Sequence, residues 1–366
     1  MAGIEILFEA VPDPRAANAR HPLSEILLIA FAATLCGAET CVDIAEFGEA
    51  KQQVLREVVA LEHGVPSHDT FSRVFRLLDP AAFEAAFRGF MAAVAAHLPA
   101  PPGGQVVAID GKSLRGAVDA ASRSTPLHLV TAWASDQRLV LGQRRAPNRS
   151  EVAAAREIIA LLDLAGTTVT ADALHGNRET AGAIRARGGD YALTIKGNRG
   201  PLHREAQALL ANADEARAAA TLETAHGRHE ERRAFVVSVP DDWPQRHGFK
   251  DLAAMARIDS LRRSAGQDER QSRYIALSRL LDPAEVLRVV RAHWSIENSQ
   301  HWMLDVAFGE DRIHTRNDRT AENLALLRRL ALNLIRADPR KASIRLKIKH
   351  AAWNDQYLLS LLSQMR

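Results

Sequence analysis

Between residues 22 and 97 apolar positions recur at helical spacing. PLSEILLIAFAATLCGA carries one such run. SHDTFSRVFRLLDPAAFEAAFRGF carries two, hinged at Asp79-Pro80, where a helix should stop and restart with proline in its first turn. LPAPPGG (98–104) then concentrates proline and glycine and marks a boundary. After it the period shortens. VVAID (106–110), LHLVTAW (127–133) and RLVLGQRRA (138–146) predict three strands. SEVAAAREIIALLDL predicts a helix, TTVTADA (167–173) a strand, NRETAGAIRARGG a helix closing on glycine, and DYALTIKGN (190–198) a fifth strand. RRAFVVSV, AAMARIDSL and QSRYIALS make 221–278 rich in strand signal. AEVLRVVRAHWSIENSQHWMLDVAF and AENLALLRRLALNLIR return to the helical period.

Three strands followed by alternating helices and strands predict the α/β class, a mixed sheet with flanking helices. The order matches a ribonuclease-H-like layout. The organisation expected is an all-helical N-terminal domain over 1–97, a linker over 98–105, an α/β domain formed by 106–220 and 279–366, and a β-rich insertion at 221–278.

Composition narrows the setting. With 366 residues, 47% of them hydrophobic and 25% charged, the chain reads as a soluble globular protein of more than one unit. No apolar run approaches the ~20 residues of a membrane helix, so no membrane partner is expected. MAGIEILFEAVPDPRAANAR lacks a basic start and a cleavable apolar core, and a cytoplasmic location is expected. Two cysteines, Cys36 and Cys41, make neither a disulfide framework nor a structural zinc site. A net charge of +3 permits a polyanionic partner without demanding one. Arginine far outnumbers lysine and clusters at 262–263, 312–319 and 328–329; its planar fork suits phosphate, although such clusters also arise as plain solvated surface.

DGKS is not a phosphate-binding loop, because position 106, five before Gly111, is Val106 rather than glycine. Asp110 instead reads as the last residue of a buried strand with Gly111 opening a turn, either capping that turn or facing a ligand crevice. TVTADALHGN repeats the pattern with Asp172. Two carboxylates on neighbouring strands, ~4 Å apart, would repel by ~4 kcal/mol at an effective dielectric of 20. Either one is protonated or a cation sits between them, and oxygen-only ligands favour Mg2+ or Mn2+. Glu297, in RAHWSIENSQHW, offers a third acid on a helix whose side at spacings of three and four carries Val290, Trp294, Leu304 and Phe308. It is either drawn into the site, left at the stripe's edge, or bonded to a histidine. His293, Glu297 and His301 fall at i, i+4 and i+8 on one predicted face. This is not the HExxH zinc arrangement, and ~12 Å along the axis keeps the two histidines from sharing a metal.

With these stretches in view, the chain resembles the H-repeat-associated group of bacterial insertion-sequence transposases, in the DDE superfamily. VPSHDTFSRVFRLLDP, AIDGKSLRG, LHLVTAW with LVLGQ, DALHGNRETAGAI, GGDYALTIKGN and RAHWSIENSQHWMLDVAFGEDR running into ENLALLRRLALNLIR carry the resemblance in order along nearly the whole chain. It implies a ribonuclease-H-like catalytic domain behind a helical N-terminal domain that contacts DNA ends. It implies Asp110, Asp172 and Glu297 as a triad holding Mg2+ or Mn2+, hydrolysis of a phosphodiester at element ends, and strand transfer into target DNA by a homodimer on double-stranded DNA. Lys112, Arg115, Lys196, Arg291, Arg312, Arg316 and Arg319 are the candidate phosphate contacts. The superfamily's tyrosine, arginine and lysine around the last acid are replaced by Val290, His293 and Leu304, leaving Arg288, Arg291 and Arg312 as stand-ins. Gly176-Asn177 and Arg199 are further departures. An inactive DNA-binding remnant and a nuclease without strand transfer are the alternatives.

Overall fold

In a computed structural model, residues 3–118, 126–225, 228–264, 267–312, 314–315 and 317–363 are described. The chain opens with six helices: α1 (Ile4–Glu9), α2 (Leu23–Leu35), α3 (Cys41–Ala50), α4 (Gln52–Leu55), α5 (His68–Leu77) and α6 (Pro80–Ala95). Each boundary has a local cause. Thr40 and Asp43 form a reciprocal capping box at α3. Asp79 caps α6 with Pro80 in its first turn, as the sequence predicts. α2 is apolar all round and buried from Ile26 to Leu35, so it is the central rod of a bundle rather than a surface helix.

β1 (Gln105–Val118), β2 (Pro126–Ala134) and β3 (Leu139–Arg145) form an antiparallel meander. α7 (Glu151–Leu161), β4 (Thr167–Ala171), α8 (Arg178–Ala186), β5 (Asp190–Ile195) and α9 (Gly200–Leu210) follow. β4 adds parallel to β1, and β5 parallel to β4. The expected β-rich insertion holds β6 (Ala219–Ala225), β7 (Arg228–Ser238), the short α10 (Trp243–His247), β8 (Ala254–Ser264) and β9 (Gln267–Leu277). These strands extend the first sheet, since β9 pairs antiparallel with β5 and the order runs β3-β2-β1-β4-β5-β9-β8-β7-β6. The result is a mixed nine-stranded sheet with helices on both faces.

α11 (Pro283–Ser295) leads into a π-helical turn, Ile296–His301, then α12 (Trp302–Phe308). α13 (Asp318–Ala337), α14 (Ile344–Trp353) and α15 (Asp355–Ser363) complete the chain. One apolar core runs from α1, α2, α5 and α6 into α13, α14 and α15, and onto Ala108, Trp133 and Val140 of the sheet. Chain ends far apart in sequence thus bury each other's apolar faces. α13 also seals the edge strand β3. The Asn333 amide accepts from the Val140 N–H and donates to its carbonyl, each at 2.9 Å, copying the pairing a further strand would give. No described helix is long and apolar enough to cross a membrane.

β1 departs from expectation. Asp110 is not its last residue and Gly111 opens no turn, because β2 stays in register from Asp110↔Thr131 to Leu114↔Leu127. Only the parallel neighbour stops early, at Ile109↔Ala171. Asp110 therefore sits one residue past the end of parallel pairing.

Candidate active site

Strand alternation aims the first acid. Ala108 packs with Ile296 in one core, while Ile109 packs with Ile158 of α7 in another. Asp110 shares the Ala108 face and points toward the π turn, where its carboxylate lies 3.5 Å from His301 Nδ1. Asp172 follows β4 directly, so the two aspartates each lie one residue past the last parallel pair, Ile109↔Ala171, on adjacent strands. Asp172 stands 3.8 Å from His293 Nε2, and His293 Nδ1 is 3.1 Å from Thr170 Oγ1.

Glu297 departs from the expected helix face. The π turn interrupts the α spacing, and the buried positions are Val286, Leu287, Val289, Ile296, Gln300, Leu304 and Phe308. Val290 and Trp294 are half-buried and line the cleft instead, and Glu297 is exposed within it. The same turn separates the histidines, His293 reaching Asp172 and His301 reaching Asp110. π turns of this kind occur often at functional sites.

Asp172, Glu297, Lys196, Arg273, His293 and Trp294 all line one cleft of about 260 Å³. Electrostatics tie Asp110 to it. Burial first, then the charges of Asp172 and Glu297, push the Asp110 carboxyl up to about 6, against the pull of His293 and the Gly111 amide. Contact with His293 lowers Asp172, with Lys196 assisting. Burial pushes the His301 ring down to about 3, so it meets Asp110 neutral. The donor set is three oxygen acids with surplus negative charge, which fits a hard divalent cation. Among the described residues, however, no group of three or more His, Cys, Asp or Glu side chains is arranged to hold a metal ion. Asp110 and Asp172 each rest against a histidine instead.

The candidate cations divide. Lys112 does not face solvent. It is 8% exposed, with Nζ 2.8 Å from Asp305 and 3.5 Å from Asp311, because alternation sends it inward toward α12. Arg115 is open at 82%, its guanidinium 3.4 Å from Asp311. Lys196 and Arg319 are exposed. Arg291 pairs with Glu223, and Arg312 with Glu39 at 3.1 Å, both remaining largely exposed. Arg288 is turned onto the Gly103 carbonyl at 2.8 Å. Arg316 lies outside the described residues.

Two groups escaped the sequence reading. Arg273 of β9 enters the cleft, its guanidinium 4.4 Å from the centre of the Trp294 ring. Burial and the neighbouring Arg232 lower its pKa. Alternation was the available signal, since Arg273 takes the phase of Ile275 and Leu277. The second is a set of buried histidines around Glu151, taken up below. Beside the acid cleft, a further one of about 540 Å³ shares Arg273, Val290 and Trp294 and adds Arg138, Arg232, Arg262 and Arg291.

Gly176 closes the turn after Asp172. A Cβ there would meet the Thr194 carbonyl oxygen at 2.1 Å, backbone that has nowhere to go. Gly176→Ala is expected to destabilise by about 1–3 kcal/mol and to displace Asp172 from Asp110; urea melts and cleavage assays on the same preparation check both.

Residues 101–334 match the family described as Transposase DDE domain, and residues 6–91 the one described as DDE_Tnp_1-associated. The H repeat-associated putative transposase YhhI of Escherichia coli K12 is 33% identical over 96% of both chains. The inactive transposase YbfQ of the same organism is 44% identical over 17% of this chain and 76% of its own. A piggyBac transposase synaptic complex with hairpin DNA aligns over 98% of this chain and 79% of that one, with 11% identity and a TM-score of 0.43.

Proposed function

The chain belongs to the DDE-superfamily insertion-sequence transposases, and from that premise we propose that it hydrolyses phosphodiesters at element ends and joins the freed ends to target DNA. The observation carrying this reading is the placement of Asp110 and Asp172, one residue past the parallel register of adjacent strands, on the side where Glu297 lines the cleft. The strand order β3-β2-β1-β4-β5 supports a ribonuclease-H-like core.

Asp110, Asp172 and Glu297 would hold Mg2+ or Mn2+, which supplies activation of water and stabilises charge at the attacking and leaving oxygens. The protein's own groups do the rest. Burial keeps Asp110 poised to gain from a cation, and Lys196 and Arg273 offer charge to phosphate beside the acids. The neighbouring cleft runs along β6–β9, where Glu223 and Glu230 stand among Arg138, Arg232, Arg262 and Arg291, and gives a DNA strand somewhere to lie, with Trp294 shared by the two clefts as a surface for a base. Arg115, Arg291, Arg312 and Arg319 are proposed as outer phosphate contacts. Lys112 is better read as part of the frame. A homodimer is proposed because two element ends must be held together, and a cytoplasmic location follows from a chromosomal substrate.

The second reading, a DNA-binding remnant, is favoured by the histidine that each aspartate rests against and by His293 in place of arginine. Incubating the protein with Mg2+ and a duplex containing the gene's flanking ends separates the two. Strand cleavage is expected, and joined product on a second duplex distinguishes a transposase from a nuclease. DNA binding with no cutting in Mg2+ or Mn2+ would favour the remnant.

A further inference from the structure

The face of the sheet opposite Asp110 carries a second ionisable cluster. Gly111, with Ile109, points toward α7. There Glu151, first residue of α7, lies 2.7 Å from His128 Nε2 and 3.6 Å from His175 Nε2. His128 Nδ1 is 2.9 Å from Ser113 Oγ, so its ring is tied back to β1 three residues beyond Asp110. His175 is fully buried, and neither ring nitrogen makes a hydrogen bond, which leaves the Glu151 charge as its compensation. A Cβ on Gly111 would stand 2.4 Å from His128 Nε2 and 2.8 Å from the Glu151 carboxyl carbon; only glycine leaves room for the cluster directly behind the acids.

Each histidine belongs to a different half of the acid pair's support. His128 sits on β2, hydrogen-bonded along β1 and hence to Asp110. His175 ends the turn that begins at Asp172, its amide donating to the Asp172 carbonyl at 2.9 Å. Glu151 touches both rings. Its charge is favoured by the start of α7, and the two histidines hold its carboxyl down at about 2. Lying on the reverse face of β1, the cluster is turned away from the cleft.

We infer that Glu151 is a positioning residue: by bridging His128 and His175 behind the sheet it sets the separation of Asp110 and Asp172. The inference rests on the reading that these aspartates are the working acids. Partners one step behind a ligand set commonly change metal affinity or activity 10- to 100-fold when removed.

The test compares wild type, Glu151→Gln and Glu151→Asp by calorimetric titration of Mn2+ without DNA, by single-turnover cleavage of the flanking-end duplex, by affinity for that duplex, and by melting temperature. Glu151→Gln is expected to weaken Mn2+ binding and slow cleavage by about 10- to 100-fold, with DNA affinity held within about twofold. Glu151→Asp, which keeps the charge but withdraws the carboxylate, should fall between. Mn2+ affinity and cleavage at wild-type levels in either variant would overturn the inference. So would losses that track melting temperature and DNA affinity equally, the mark of a general structural role. If Glu151→Gln fails to fold, Glu151→Asp decides alone by the same criteria. A wild-type protein that neither binds Mn2+ nor cuts refutes the underlying reading instead, so the two failures are distinct.

Discussion

An Asp110→Asn variant is expected to lose DNA cleavage while melting at a higher temperature than wild type in metal-free buffer. Loss on the order of 10³-fold or more is the scale set by removing a group that stabilises transition-state charge. The gain in stability follows from the same placement. Burial and the charges of Asp172 and Glu297 hold the Asp110 carboxyl at about 6 against an ordinary 3.8. An acid raised in the folded state destabilises that state once it ionises. The cost is absent below pH 3.8, grows toward pH 6 and is constant above it. Asparagine escapes it. The variant should thus gain about 1–3 kcal/mol at neutral pH, and its advantage should fade as pH drops through that window. Melting curves with a chelator at pH 7.5 and pH 4 check the sign. A variant less stable than wild type at pH 7.5 would show that the acids do not strain the folded chain.

The largest loss of stability is expected from Arg329→Met. Arg329 and Glu310 are both fully buried and meet at 2.8 Å, and the same guanidinium nitrogen also donates to the Ala325 carbonyl at 2.9 Å. The pair pins the turn after α12 to α13, beyond Gly309, whose backbone at φ 61° ends that helix in the left-handed region. Removing the arginine leaves the fully buried Glu310 carboxylate without its ionic partner, a loss of about 3–5 kcal/mol. Replacing both, as Arg329→Met with Glu310→Leu, should cost less than the single change, because the charge leaves with its partner. Urea midpoints of the three proteins test the ordering; a double variant worse than Arg329→Met would contradict it.

Much of this architecture was legible where the signal is local. Asp79-Pro80 announced a helix restart, the alternating runs announced nearly every strand, and Asp172 announced itself as an acid following a β-rich segment, whereas Asp110 lies inside a strand that runs on to Val118. What escaped depends on partners distant in the chain. Nothing near Tyr274 says that β9 pairs with β5, across about eighty residues, and turns an apparent insertion into half of one sheet. Lys112 looked like a phosphate ligand beside Asp110 because its neighbours do not reveal Asp305 and Asp311 waiting inside. His128, Glu151 and His175 read singly as ordinary polar residues, and only folding gives them each other.

The π-helical turn constrains how this chain can change over time. Ile296, Gln300, Leu304 and Phe308 are all buried at steps of four, and in a regular α-helix each step overshoots the previous one by about 40°. The wide turn takes back part of that rotation, so one buried stripe continues from α11 into α12 while Glu297 keeps to the open side. Under the proposed function the open arc, which carries Glu297, is no freer to change than the buried one. Losing a single codon between 297 and 301 would let the wide turn close into regular α-helix, with α12 near its present phase and the spacing from Glu297 to His301 one residue shorter. The cost of such a loss would fall on the site rather than on the fold behind it.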